Sequence, residues 1–525
     1  MARTRTLMVT SEAFPLAKSG GLGDAVTGLA RALSLAGMEV GILMPAYRGV
    51  LDRVVGVRHI AHLAGMPGGQ ATLMGALCAE SGLPVYLLRN DALYDRTGLY
   101  LDEQGEPYPD NALRYAALAH AAVRMATGLP GVRPPDLLHA QDWHAGLVPL
   151  LVRAAGLRYV KTVLTVHNLA FQGVFPLDCA RELGVPADYC TDDGALFYGQ
   201  LSFLKAGLRY ADRITTVSRS YAREILTPEF GCGLDPLLRA RAADLVPIPN
   251  GIDDSLWNPA NDPHLGSTRY SLRKPANKRR AKAALQKAFG LQVGPDHALL
   301  AMGSRLTEQK MADVAVQALP DALQRHPHLQ VALIGCGERR FEQAFEALAA
   351  RYPGRCAVRI GYDEPTAHRL HAGADMLLHG SRFEPFGLTP LYAMRYGTVP
   401  IGSRVGGMAD TIGDPGDGDG NADAAKAMLA ATGVLFDGDT AHDMGRAIDR
   451  ALRLYAQPSV WQAMQRNGMA CEFGWDAAAQ PYISLFDSLV GTPRRGQIPA
   501  PTIRPVAVPA YARRPLDGMP VPVAY

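Results

Sequence analysis

The sequence predicts an α/β protein made of two doubly wound domains, each a parallel sheet flanked by helices. Three observations carry this. Short β-rich runs alternate from end to end with longer amphipathic or alanine-rich segments, the pattern of parallel strands joined by crossover helices. The alternation breaks once, between Pro247 and Pro275, where five prolines stand with Asn258, Asn261 and Asp262. At 525 residues the chain is also longer than one hydrophobic core serves.

Taken in order, strands are expected at Leu7–Val9, Glu39–Leu43, Val85–Leu88, Asp136–His139, Lys161–His167, Arg213–Val217 and Leu245–Ile248. Helices are expected between them at Asp24–Ala36, Asn111–Thr127, Gln200–Ala211 and Ser218–Leu226. These make a first domain over 1–255, followed by a hinge or linker over 256–275. The second domain, 276–488, has expected strands at His297–Met302, Gln330–Ile334, Cys356–Ile360, Asp375–His379 and Val399–Ile401. Its helices are expected at 277–289, 310–324, 339–350, 364–372 and 387–396. Two such units imply a cleft, with ligands at the carboxyl ends of the strands. Two stretches join neither domain. "GDPGDGDGN", 413–421, reads as a solvated loop, since Ala422 and Met428 stand where a calcium loop needs glycine and glutamate. Residues 489–525 read as a tail, expected to be flexible or to wrap the body; from 491 it holds eight prolines and five arginines against one acidic residue.

Composition excludes several classes. Fifty-three basic against 50 acidic residues leave a charge of +3, too balanced for a general nucleic-acid or membrane-surface binder. Seven scattered cysteines without a CxxC pair signal neither a disulfide framework nor a zinc site, and fit a reducing cytoplasm. No apolar run is long enough for a membrane span, and the start MARTRT leads into a strand and not a signal peptide.

The chemistry-bearing residues cluster where strands end. In "PLAKSGGLGDAV", 15–26, Gly20, Gly21 and Gly23 let backbone approach a ligand. The helix opening near Asp24 offers free N–H groups to an anion, and Lys18 adds a charge. Neither the G-x-G-x-x-G fingerprint nor a Walker loop is present, and a plain strand-to-helix turn explains the glycines equally well. "LLHAQDWHAG", 137–146, places His139, Asp142, Trp143 and His144 beyond a strand, as a packed corner with Asp142 capping a helix or as ligand contacts. His139 and His144 have a metal-like spacing but no third ligand nearby. "TVHNLAFQG" ends another strand with His167 and Asn168. In the second domain Arg305 and Lys310 converge at a helix start, an arrangement that favours a diphosphate there. Glu384 precedes Gly387, Leu388 and Thr389, which open a helix able to receive phosphate, and Gly406 and Gly407 open one more. A carboxylate at such a strand end can cap the helix or grip vicinal sugar hydroxyls.

With these motifs quoted as KSGGLGD, HAQDWHAG, TVHNLAFQG, NGID, SRLTEQK and SRFEPFGLTPLYAMRYGTVP, the chain resembles bacterial glycogen synthases and plant starch synthases over residues 5–488. The resemblance implies a GT-B glycosyltransferase, two Rossmann-like domains facing a deep cleft. It implies retaining transfer of glucose from ADP-glucose to the non-reducing 4-hydroxyl of an α-1,4-glucan such as glycogen, with no metal or other cofactor. It also implies roles for matching positions. Lys18, Gly20 and Gly21 approach the phosphates or transferred glucose. Arg305 and Lys310, helped by the N–H groups of Leu388 and Thr389, stabilise the leaving diphosphate. His167 touches glucose near the reacting carbon, Glu384 binds its hydroxyls, Asp24 and Asp142 line the sugar or acceptor side, and Tyr362 lies near the adenine. The sequence departs from the family pattern at Ser19 and Val405, where threonine is commoner, after Lys310, where a glycine is missing, and in "IGCGERR". A phosphorylase would need a lysine-bound pyridoxal phosphate, a dinucleotide oxidoreductase the absent fingerprint. A non-catalytic glucan binder would have no need of intact Lys18, His167, Arg305, Lys310 and Glu384.

Overall fold

The structure, a computed structural model, describes residues 4–416 and 427–491. The tail from 492 and the loop residues from 417 that were read as solvated lie outside the described residues. The chain divides into two compact units, Met1–Thr215 with Gly231–Val246 and Ala479–Tyr525, and Thr216–Phe230 with Pro247–Ala478. Both are α/β.

The first unit holds β1 (Arg5–Val9), β2 (Glu39–Pro45), β3 (Val54–Met66), β4 (Gly69–Cys78), β5 (Pro84–Arg89), β6 (Leu137–Gln141), β7 (Lys161–Val166), β8 (Val174–Phe175), β9 (Leu196–Phe197), β10 (Gln200–Ser202), β11 (Arg213–Thr216) and β12 (Leu245–Pro247). Nine of these strands form one sheet in the order β12-β11-β7-β6-β1-β2-β5-β4-β3. Strands β1, β2, β5, β6 and β7 are nearly continuous apolar runs paired in parallel, because helices cover both faces. The long hairpin β3–β4 extends the sheet antiparallel and was not expected. Its outer strand is largely exposed and broken by three register shifts, so it lacks the buried apolar run that marks the other strands. The helix Asn111–Thr127 spends its alanines on close packing, and its Arg114 is wholly buried, donating to the carbonyls of Leu93 and Leu99 and to Asn111 Oδ1.

The second unit holds β13 (Ala298–Gly303), β14 (Leu329–Gly335), β15 (Cys356–Ile360), β16 (Met376–His379), β17 (Val399–Ser403) and β18 (Val434–Phe436). They form an all-parallel sheet in the order β15-β14-β13-β16-β17-β18.

Three differences from the sequence reading have physical causes. Residues 256–275 are not a loose linker but a packed part of the second unit: Trp257 stacks between His368 and Tyr392, each ring 3.9 Å away, and Asp262 and Tyr270 are buried. The helix Arg219–Glu224 belongs with the second unit, because Ser218 Oγ donates to the Pro385 carbonyl at 2.7 Å and Ser220 binds the Asp410 carboxylate. The last helix, Trp475–Val490, runs two residues into the stretch read as tail and from Ala479 belongs to the first unit, where Tyr482 and Phe486 pack on His139.

Candidate active site

Each unit has one topological switch point, where the strand order reverses, and open α/β sheets hold ligands outside the strand ends at such a point. In the first unit the switch lies between β1 and β6 and in the second between β13 and β16. Most of the sequence-predicted residues stand beside these two places, Tyr362, Gly406 and Gly407 being the exceptions.

In the first unit, the loop after β1 folds around Glu12, a buried carboxylate that sequence reasoning missed. It accepts hydrogen bonds from Ser19 N at 2.7 Å, Ser19 Oγ at 2.6 Å and Tyr100 Oη at 2.5 Å, with Gly20 N at 3.3 Å. The N–H groups of Ser19 and Gly20 are therefore engaged within the protein, and the next ones available to an anion are those opening the helix Gly21–Leu35. Lys18 Nζ lies 2.8 Å from Asp24 Oδ2. Gly23 is needed by the fold, since a Cβ there would stand 3.2 Å from the Ala17 carbonyl, whereas a Cβ at Gly20 would meet nothing within 4 Å.

At the end of β6, Asp142 does not cap the following turn. It holds a left-handed φ of 54° and accepts from the backbone of His167 at 2.7 Å and Asn168 at 3.3 Å, which ties the ends of β6 and β7 together. Burial pushes its carboxyl up to about 7 despite these two bonds. His167 Nε2 donates to Gln141 Oε1 at 2.8 Å, and burial pushes the imidazole down to about 4, so it is neutral at pH 7. Asn168 Oδ1 accepts from Ala170 N at 3.1 Å. His139 is a core residue bonded to Thr165 Oγ1 and pushed down by burial to about 3, while His144 stacks on Trp143 and Tyr100. The two histidines thus serve packing.

In the second unit, Lys310 Nζ donates to Glu384 Oε2, and His379 Nε2 reaches the same oxygen at 3.3 Å. Burial alone would raise the Glu384 carboxyl, but Lys310 and His379 outweigh it and hold the group ionised, well below the usual carboxylate range. Burial lowers His379, Lys310 adds to that, and Glu384 opposes it. Arg305 stands on the loop after β13, its Nη2 3.3 Å from Gln309 Oε1. Arg382 grips Asp313 with both terminal nitrogens, at 2.9 and 2.8 Å, and so fixes this loop to the helix Ala312–Arg325. Gly387, at φ 86°, opens the helix Leu388–Arg395 without a side-chain cap, which leaves the first-turn N–H groups of Leu388 and Thr389 for an outside acceptor.

Gly406 and Gly407 differ from expectation. The Gly406 N–H donates to Glu224 Oε1 at 2.7 Å, and that of Gly407 to the carbonyls of Glu384 and Pro385 at 3.3 and 3.2 Å. Added Cβ atoms would stand 1.8 Å from the Glu384 carbonyl and 2.3 Å from that of Phe386. These glycines hold the Glu384 loop in place and offer no N–H to a phosphate. Tyr362 stands at the end of β15, two strands from the switch point, 61% exposed, with its hydroxyl 3.1 Å from Glu364.

Comparison with known proteins agrees with this geometry. The starch synthase catalytic domain model matches residues 5–240 and the glycosyl transferases group 1 model residues 287–467. The chain is 79% identical over all its 525 residues to a glycogen synthase of Bordetella petrii, which it covers completely, and 53% identical to one of Ralstonia nicotianae over 98% of this chain and 93% of that protein. The chain belongs to the glycogen synthase family. Among solved structures it is similar to the catalytic domain of starch synthase IV from Arabidopsis thaliana bound to ADP and acarbose, with a TM-score of 0.82 and 26% identity over 94% of this chain and 100% of that one. A sucrose-phosphate synthase from Thermosynechococcus elongatus, at 18% identity and TM-score 0.58 over 93% and 99% of the two chains, shares the fold. The two-domain α/β architecture is thus that of the GT-B glycosyltransferases, and the chain is a glycosyltransferase.

Within this family frame the sequence motifs named the outermost groups and missed their supports. Glu12, Gln141, His379 and Arg382 position Ser19, His167, Glu384 and the Arg305 loop respectively, yet each sits in or beside a motif where its type alone carries no chemistry. Arg382 lies inside the quoted SRFEP motif, but its partner Asp313 is 69 residues away, so the pairing left no signal in the sequence. Among the described residues no helix is long and apolar enough to cross a membrane, and no group of three or more His, Cys, Asp or Glu could hold a metal ion.

Proposed function

We propose that this glycosyltransferase transfers glucose from ADP-glucose to the non-reducing 4-hydroxyl of an α-1,4-glucan, with retention of configuration and without a metal. The observation that carries the reading is the buried Lys310–Glu384–His379 cluster beside Arg305 and the uncapped start of the Leu388–Arg395 helix, all at one switch point. An ionised carboxylate next to cations and free N–H groups suits a neutral polyol attached to a diphosphate. The names of the relatives and the ADP and acarbose bound to the starch synthase point to the same substrates.

As the bond from glucose C1 to the diphosphate oxygen breaks, positive charge grows on the sugar and negative charge on the leaving group. Arg305, Lys310 and the N–H groups of Leu388 and Thr389 stabilise the latter in a preorganised way. Glu384 holds the glucose hydroxyls, and neutral His167 lies near the reacting carbon without serving as a proton donor from its Nε2, which Gln141 occupies. Lys18, with Gly20 and Gly21, binds the donor from the first unit, Asp24 and Asp142 serve the sugar or acceptor side, and the exposed ring of Tyr362 contributes near adenine. On the retaining route proposed, the acceptor 4-hydroxyl attacks C1 from the face the diphosphate leaves. Its proton passes to the departing β-phosphate oxygen, and ADP is released.

The test is transfer of labelled glucose from ADP-glucose and from UDP-glucose to glycogen in the presence of a chelator. Label should enter glycogen from ADP-glucose faster, and Lys310→Ala or Glu384→Ala should lower turnover by orders of magnitude with the fold intact. No label from either donor, or near-normal turnover in both variants, would refute the reading.

A further inference from the structure

A second pair of cations lines a cavity at the other end of the Leu388–Arg395 helix from Leu388. This cavity of about 270 Å³ in the second unit is lined by Asn258, Ser271, Leu272, Arg273, Arg395 and Met469 among others, and no acidic residue lines it. Arg273 is exposed and forms no ion pair among the described residues. Among the described residues, Arg395 Nη1 makes one long hydrogen bond, 3.4 Å to the Met469 carbonyl, and its Nε is buried without a partner. A guanidinium at the last turn of a helix gains from the helix dipole, but that gain does not require a second guanidinium on the same cavity. Two like charges lining one space without a carboxylate repel each other. An anion in the cavity offsets that repulsion.

We propose that this cavity binds a phosphoryl group. Two guanidiniums suit its oxygens through forked hydrogen bonds, better than they suit a single-charged point acceptor. Asn258 and Ser271 supply hydrogen-bonding groups for a hydroxylated carrier, Leu272 and Met469 an apolar wall, and the volume holds a molecule of monosaccharide size. The site is distinct from the donor site: Arg395 ends the helix that Leu388 begins, about 10 Å away at 1.5 Å per residue.

Binding to the full-length protein is measured by calorimetry with two probes, inorganic phosphate and glucose 1-phosphate. Each is titrated into the unaltered chain, Arg273→Ala and Lys310→Ala. Arg273→Ala removes an exposed side chain and should fold normally, yet weaken binding at this site at least tenfold, while Lys310→Ala leaves it unchanged. Tighter binding of the ester assigns the phosphoryl group to a hydroxylated carrier, and equal binding assigns it to the free ion; both support the proposal. Absence of binding by both probes at millimolar concentration, equal affinity in Arg273→Ala, or loss in Lys310→Ala alone would overturn it.

Discussion

Glycine at a strand end can serve the fold or the ligand, and the space around its missing Cβ tells which. At Gly20 the backbone is extended, φ −156°, and a Cβ would meet nothing within 4 Å, so no packing in this chain demands glycine there. At Gly406, φ is 45° and a Cβ would stand 1.8 Å from the Glu384 carbonyl. Gly20→Ala is therefore expected to change stability by less than about 1 kcal/mol while lowering kcat/KM for the sugar donor at least tenfold, because the new methyl enters only the space a ligand would use. Gly406→Ala is expected to lose about 3 kcal/mol or more, with activity falling alongside as the Glu384 loop shifts. Denaturant titration beside initial rates distinguishes the two. Full activity in Gly20→Ala would reduce the 15–26 stretch to a tight turn, the reading its glycines allowed equally well from sequence.

Among the elements, the segment from 256 to 275 shows where sequence reasoning stops. Its prolines and asparagines report turn chemistry, and turn chemistry is blind to burial. Asp262 is wholly buried, its Oδ2 accepting from His368 Nδ1 at 2.8 Å and Tyr396 Oη at 2.6 Å, and it holds the segment to the middle of the helix Glu364–Gly373 and to the end of Leu388–Arg395. Asp262→Ala removes the buried acceptor that both donors share and leaves them only each other, 3.2 Å apart, and the expected loss is about 3 kcal/mol, with Asp262→Asn losing less because its carbonyl still accepts. Chemical denaturation followed by tryptophan fluorescence reads this through Trp257, stacked on His368; a loss under about 1 kcal/mol would mean the segment is held by its aromatic stack alone. Trp257 and Tyr270 were the available warning, since large aromatics seldom sit in linkers. By contrast, the central parallel strands were legible nearly to their ends, because strands buried on both faces are apolar runs, as at Leu329–Gly335, where every residue is buried; the edge strand Cys356–Ile360 and the helix Asn111–Thr127 also match residue for residue. The exposed hairpin β3–β4 and the three-residue β18 left no comparable trace.

At the scale of the whole molecule, the motifs pointed to particular strand ends, while the distribution of buried neutral imidazoles emerged only with the packing. Burial lowers His120, His139, His144, His167, His371 and His379, reaching about 3 for His139 and His371 and about 4 for His167. An unfolded histidine takes up its proton near pH 6.5, so around pH 5 the unfolded chain carries protons that these folded sites refuse. The sign follows: the unfolded state binds more protons, and stability falls as pH drops. Asp142, raised to about 7 by burial, works the other way over the same range, since the folded carboxyl keeps a proton that the unfolded one releases. His368, raised by its carboxylate partners against burial, is protonated in both states below pH 6.5 and drops out. The lowered histidines outnumber the one carboxyl, so the balance is a net uptake of protons on unfolding near pH 5, each worth about 1.4 kcal/mol lost per pH unit. The melting temperature should therefore fall steeply between about pH 6.5 and 4.5, and calorimetry in two buffers of different ionisation enthalpy should count the protons taken up. A flat profile, or net proton release, would mean that the imidazoles at the strand ends are open to solvent, and with them the neutral state assigned to His167.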